Sequence, residues 1–320
     1  MSLWKLKISM IGTLVLLIGI STLLLVFILE FLGGFTPTIL ITAVLVFNVL
    51  QWLFAPYIIE AVYHVKEVGP GHWLQEMVSR IAEASGISAP KAMIAEIPIP
   101  NAFAYGSPLT GNRVAVTRGL IETVDRDELE AVIAHEIGHI IHKDMHIMMI
   151  ASLLPALFYI IGRSLLLSGY FYRGYRDRDE GGGGLLILIG IISMVASFIL
   201  QLITLGLSRL REYYADAHAA MTVNDGALKL QIALAKISEN TARLVSRGVN
   251  VAAFGDFRQL FIVDPSRAVS EYSEMRGEYW IVEKIKSREL TFWDRLLELF
   301  STHPNIVKRL RALDELRRAY

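Results

Sequence analysis

Four stretches of this sequence are apolar for so long that lipid is the solvent they suit: about Ile8 to Phe31, Thr36 to Ile59, Met145 to Ser168 and Leu185 to Leu207. A bilayer core of about 30 Å takes about 20 helical residues to cross. Inside it every backbone group must be satisfied within the segment, so each stretch is expected as a helix. Gly33, Gly34 and Pro37 form a short turn between the first two, which makes them a tight hairpin. A removable signal peptide is disfavoured for the first, since its apolar run outlasts a signal core and no small-residue cleavage site follows. Hydrophobic residues make up 53% of the 320 and charged residues 19%, so polar sequence remains for a folded region outside the membrane.

The 31 basic and 31 acidic residues cancel, and no global field favours nucleic acid as a partner. The chain has no cysteine, which excludes disulfides and thiolate ligands and leaves His, Asp and Glu for any metal. Basic residues set the expected orientation. Lys5 and Lys7 flank the first span, the Gly33 turn has none, and Lys66, Arg80, Lys91, Arg113 and Arg118 follow the second. The positive-inside rule then puts the termini and the polar region in the cytoplasm, in a multi-pass protein of the cell membrane. Arg173, Arg176 and Arg178, beside Asp177, Asp179 and Glu180, run against that rule between the third and fourth spans.

This gives a mainly α membrane protein with four transmembrane helices and a cytoplasmic α+β domain. Its parts are a hairpin over 1–60, a polar region over 61–144, a second pair of spans over 145–207 and a C-terminal polar region over 208–320. Within 61–144, Trp73, Leu74, Met77, Val78 and Ile81 recur at helical spacing after His72, and Gly86 closes that helix. Lys91 to Ile97, Asn101 to Tyr105 and Val114 to Thr117 have strand patterns. Asp125 and Glu128 form a capping-box pair that opens the next helix. After the fourth span, helix is expected over Arg209 to Met221 and Ala227 to Leu244. The charged tail from Ser270 is helical too, with a break near Ser301 to Pro304, and the glycines at 181–184 are expected as a linker.

His135-Glu136-Ile137-Gly138-His139 stands on the capped helix. Residues four apart share a helix face, so the two imidazoles can address one ion, while Glu136 sits about 100° round and can take a proton from water at that ion. Zinc is the expected metal, one per chain, with Glu136 as general base for hydrolysis. A catalytic zinc needs a third protein ligand and an open fourth position. Glu212 is the candidate, with Asp216 one turn on and able to orient an imidazole. Two spans separate His139 from Glu212, so both emerge on one side, each about 8 to 9 Å beyond the lipid core at about 1.5 Å per residue. The spacing leaves a second reading open, in which Glu212 and Asp216 are a solvated acidic face beside Arg209 and Arg211. His142 and His146 continue the motif helix but stand a turn too far on, and are expected as interfacial anchors. His64, His72 and His218 lack a partner pattern.

Together these residues resemble the HtpX-type membrane metalloproteases, in a gluzincin group that also includes the CAAX prenyl proteases. The similarity is carried by His135–His139, by Glu212-Tyr213-Tyr214-Ala215-Asp216, by the four spans and by two further segments. Pro100 to Gly106 is similar to the family's extended segment before the motif helix. The resemblance implies that the backbone of Asn101, Ala102 and Phe103 binds substrate by strand addition. Ser301-Thr302-His303-Pro304 and Arg309 resemble the family's C-terminal segment. The resemblance implies a catalytic His303 that donates to the oxyanion, and Arg309 on the substrate side. From the residues alone, Thr302 and Pro304 could equally start a helix that His303 caps. Tyr105, where relatives carry a small polar residue, and the charged stretch from Arg267 to Arg288 depart from the family pattern.

The expected substrates are polypeptides, above all misfolded or damaged membrane proteins, met at the lipid bilayer. The sequence leaves the oligomeric state open. Two rivals stay open: a CAAX-type protease acting on prenylated C termini, and a non-catalytic scaffold in which zinc only staples the domain.

Overall fold

The computed structural model describes residues 37–175, 182–247 and 278–319. They fall into two compact units: one holds Leu53–Met145 and the described residues from Ser208 on, the other the residues up to Trp52 together with His146–Leu207.

The first unit contains a four-stranded sheet, β1 (Val65–Glu67), β2 (Lys91–Ala95), β3 (Ala102–Ser107) and β4 (Gly111–Thr117), in the order β1-β2-β4-β3. β2 and β4 pair in parallel, and the other two pairings are antiparallel. β3 is therefore an edge strand, with Ala102 opposite Val116 and Ala104 opposite Val114. Side chains alternate along it. Ala102 and Ala104 meet the main core, while Phe103 and Tyr105 join Tyr63, Ile97 and Ile99 in a smaller core on the other face of the sheet. β1 went unanticipated because three residues are too few to show an alternation.

Helix α1 (Pro37–Tyr63) leads into the sheet, and α2 (Trp73–Ala84) packs on it. The α2 stripe Leu74, Met77, Val78 and Ile81 is buried as its spacing demands. His72 caps this helix by accepting from the Leu74 N–H at 3.2 Å, and Gly86 closes it at φ +70°, a conformation that glycine adopts without cost. A short α3 (Arg118–Thr123) precedes α4 (Arg126–Ile141). The Glu128 carboxylate accepts from the Asp125 N–H at 3.0 Å and so opens α4 as the capping pair predicts. Lys236 lies 2.8 Å from the same carboxylate, which is why Glu128 can be buried.

Two long helices follow, α5 (Asp144–Tyr175) and α6 (Gly182–Thr222). Among the described residues, three helical segments are long and apolar enough to cross a membrane: Leu45–Tyr63, Asp144–Tyr170 and Gly183–Thr222. The expected first span, Ile8 to Phe31, lies outside the described residues. In the second unit, Gly162 of α5 and Gly190 of α6 bring the two backbones together: a Cβ on either would meet the carbonyl oxygen of the other at 2.8 Å. Pro155 has no N–H for the Ala151 carbonyl, and the Thr204 hydroxyl donates to that oxygen at 3.3 Å. The expected glycine linker is corrected at Gly182–Gly184, which form the first turn of α6.

The rest of the first unit is α7 (Gly226–Ser246), α8 (Glu278–Ser287), α9 (Phe292–Glu298) and α10 (Ile306–Ala319). Leu230, Leu234 and Ile237 of α7 meet Ile133 and Ile137 of α4 and Val307, Leu310 and Leu313 of α10 in one continuous core.

Candidate active site

Segments distant in the chain supply this site: α4, the start of α5, α6, and α10 with the loop before it. On α4, His135 and His139 stand four apart, their rings nearly perpendicular and 4.8 Å between centroids. Their Nε2 atoms face each other at 3.2 Å. Gly138, between them on the motif helix, lets α6 come close, since a Cβ there would lie 3.1 Å from the Ala215 Cα. That approach delivers Glu212, whose Oε1 is 3.5 Å from His139 Nε2 and whose Oε2 is 3.7 Å from His135 Nε2. A tetrahedral ion bonded at about 2.0–2.1 Å holds its ligand atoms about 3.3–3.4 Å apart. The three observed separations bracket that edge.

Each imidazole is fixed from behind. His135 Nδ1 lies 2.9 Å from Asp216 Oδ1, and His139 Nδ1 lies 2.5 Å from Asp144 Oδ2. A proton held on Nδ1 by a carboxylate leaves Nε2 as a bare lone pair. Two such lone pairs aimed at each other in a buried site repel unless a cation lies between them, so the donor set fits a metal ion. His135, Glu136 and His139 also bring one candidate donor atom each within 4.8 Å of one another. Of the two glutamates, Glu136 is already engaged, its Oε2 accepting from the Ala104 N–H of β3 at 2.8 Å. Glu212 instead faces both Nε2 atoms.

The surrounding charges keep Glu212 ionised. Burial would raise its carboxyl, but His303, Arg309 and His139 outweigh that and hold it well below the usual carboxylate range. Asp216, equally buried, is likewise held down by Arg309 and by its contact with His135. The Arg309 guanidinium donates from Nε and Nη2 to the two Asp216 oxygens, at 2.9 and 2.5 Å, and its Nη1 is 3.2 Å from Glu212 Oε2. His303 Nδ1 lies 3.1 Å from that same oxygen, and neither ring nitrogen of His303 has a well-formed hydrogen bond.

The structure thus brings together His135, Glu136, His139, Glu212, Asp216, His303 and Arg309. Glu212 and Asp216 are not a solvated face: they are 4% and 1% exposed. Arg309 differs from expectation. It is 1% exposed and braced against two carboxylates behind the ligands, so its guanidinium holds the site rather than facing a substrate. His303 does not cap α10, because Asn305 does, its side chain accepting from the Val307 N–H at 2.9 Å. Asn101, Ala102 and Phe103 are all buried, Phe103 between Tyr63 and Tyr105, and of residues 101–104 Ala104 alone, on the outer edge of β3, is partly exposed. Tyr105 donates to Glu60 at 3.0 Å, away from that edge. His142 ends α4 beside Tyr214 and His218, and His146 packs on Trp52; neither joins the ligand set. Asp144 was missed by sequence reasoning. Its signal was faint, as the one acidic residue between the motif helix and the apolar run.

Two imidazoles facing each other across 3.2 Å with a glutamate between them in sequence are the donor pattern of a metallopeptidase site, and the apolar helices of the same chain make this a membrane protein. The chain belongs to peptidase family M48, whose family model matches residues 70–317. It is similar to the protease HtpX homolog of Aeropyrum pernix, 42% identical over 273 residues that cover 83% of this chain and 82% of the relative. It is also similar to the protease HtpX homolog of Thermoplasma acidophilum, 37% identical over 286 residues, 87% of this chain and 85% of the relative. Among solved structures, that of S. mikatae Ste24p matches with a TM-score of 0.55 at 20% identity, over 98% of this chain and 66% of that protein. At that identity the likeness speaks for the fold alone.

Proposed function

We propose that this membrane metallopeptidase is a zinc-dependent endopeptidase of the cell membrane that cuts misfolded or damaged membrane proteins, with four spans and its active site facing the cytoplasm. The proposal divides the chain into membrane hairpins at 1–60 and 145–207 and catalytic regions at 61–144 and 208–320. The observation that carries the catalytic part is the pair of Nε2 atoms 3.2 Å apart, each ring backed by a buried carboxylate, with Glu136 next to them. His135, His139 and Glu212 would hold the ion. When bound there, zinc polarises a carbonyl and brings the pKa of water to about 7.

The chain's own groups do the rest. Glu136 takes the proton of the attacking water and delivers it to the leaving amine. Its hold on the Ala104 N–H ties the base to β3, so base and substrate edge move as one piece. The Ala104 carbonyl, beside the N–H that Glu136 holds, is left for the backbone of an extended peptide, a contact that demands no particular sequence and suits a protease acting on many damaged chains. His303 turns Nδ1 to Glu212, and its buried Nε2, without a hydrogen bond among the described residues, donates to the oxygen that gains charge.

Glu136→Gln is the test. The amide keeps the hydrogen-bond acceptor for Ala104 but cannot take a proton, so metal content should stay at wild-type level while cleavage of an unfolded membrane substrate falls by about 10²–10⁴-fold. Metal analysis and a gel-based cleavage assay on purified protein read both. Undiminished cleavage would overturn the mechanism. Unchanged function in cells, with unfolding on metal removal, would favour the scaffold.

A further inference from the structure

Helix α9 is built inside out for a helix in water. At about 100° per residue, Phe292, Trp293, Leu296, Leu299 and Phe300 fall within an arc of about 120°, and Asp294 and Glu298 lie opposite. The apolar arc is the outer one. Phe292 is 70% exposed, Trp293 60%, Leu299 46% and Phe300 41%, while Glu298 is buried. Glu298 faces the protein, where its carboxylate accepts from the Asn305 N–H at 3.1 Å and pairs with Lys308. A soluble protein has no reason to put its aromatic residues out and its acid in.

The place of α9 names the solvent that does. Arg209 Nη1 donates to the carbonyls of Glu298, Leu299 and Ser301 at 2.8, 3.2 and 2.8 Å. Arg209 stands two residues past Leu207, where the apolar run of the unbroken helix α6 ends. Leu210 and Tyr214, next along α6, are 58% and 63% exposed. Aromatic residues gather where headgroups meet acyl chains, and Arg295 at the margin of the arc is long enough to reach outward to the headgroups.

We propose that α9 is an interfacial anchor whose Phe292–Phe300 face lies in the headgroup boundary of the bilayer that α6 crosses. The inference rests on the reading of α6 as a span. α9 leads directly into the segment that carries His303, so lipid contact holds that histidine's loop against Arg209 and beside Glu212.

The chain has no cysteine, so single nitroxides can be placed by Trp293→Cys, Phe292→Cys, Ile199→Cys and Arg317→Cys without background. All four positions are exposed, and unchanged melting temperatures would verify folding. In phosphatidylcholine nanodiscs, collision with oxygen relative to a water-soluble nickel chelate should be several-fold higher at 292, 293 and 199 than at 317. A water-like ratio at 293 with a lipid-like ratio at 199 overturns the anchor and leaves the span intact. A water-like ratio at 199 overturns both. Shielding of 293 from oxygen and chelate alike means that protein covers the face, another part of this chain or a second copy, and also overturns the anchor.

Discussion

Asp144 divides one carboxylate oxygen between two donors: His139 Nδ1 at 2.5 Å and the Arg211 guanidinium at 2.8 Å. The arrangement fixes the His139 tautomer, and Asp144→Asn removes the charge while keeping an oxygen in place. Metal affinity should fall about 10- to 100-fold, the usual cost of losing such a partner, with the fold kept. Competition with a chelator of known affinity measures it, and unchanged affinity would deny Asp144 any part in the centre. The residues of the site were unequally legible. His135, Glu136 and His139 could be read because one helix carries all three at a period that fixes their geometry. Glu212 needed the parity of the spans. Asp144 could not be found, and the place of Arg309 against Asp216 and Glu212 could not be foreseen, because their partners lie where α4, α5, α6 and α10 converge, and no local period encodes that.

Between elements, closeness rather than chemistry sets the site. Gly138 has no side chain to give to catalysis, yet a Cβ there would sit 3.1 Å from the Ala215 Cα and 3.2 Å from the His218 Cβ. Gly138→Val should force α4 and α6 apart, destabilise the protein by about 1–3 kcal/mol and shift Glu212 from the imidazoles. A lower melting temperature together with weaker metal binding is expected, and wild-type values for both would show that the helices can yield. A second element contact carries a pH signature. Burial would raise Asp314, but Lys286 and the Gln231 amide lower it; Lys286 is raised in turn by Asp314 and Glu283 against its own burial. A lowered carboxylate stabilises the fold above its unfolded pKa of about 4 and loses that contribution as pH falls through the folded value; a raised lysine stabilises below about 10 and loses it as pH rises. Both operate at neutral pH. Asp314→Asn should therefore cost about 0.5–1 kcal/mol near pH 7 for a pair this close to solvent. Melts of metal-free protein should show that difference shrinking as pH drops below about 4. A constant difference would assign it to packing. The helices themselves were legible from periodicity and caps, as in α2 and α4, whereas β1 and α3 are too short to carry a pattern.

At the scale of the whole chain, span length was readable because lipid thickness imposes it, but sidedness was not, because the basic residues disagree. Lys66, Arg80, Lys91, Arg113 and Arg118 favour a cytoplasmic polar region, and Arg173, Arg176 and Arg178 favour the same side for the end of α5 and the residues that follow it. The two demands conflict, since one span separates these groups. Three acids, Asp177, Asp179 and Glu180, stand beside the second group. Acids count for little in the rule, but seven basic residues between the second span and α5, those five with Arg126 and Lys143, outnumber the three at 173–178. The expectation is that the first group wins. With single cysteines at Arg118, Arg317 and Asp177, a membrane-impermeant maleimide should label 118 and 317 in inverted vesicles only, and 177 in right-side-out vesicles only. Labelling of 177 from the same side as 118 would mean that α5 and α6 do not both cross, and the four-span arrangement would fall while the metal centre, assembled within one compact unit, would stand.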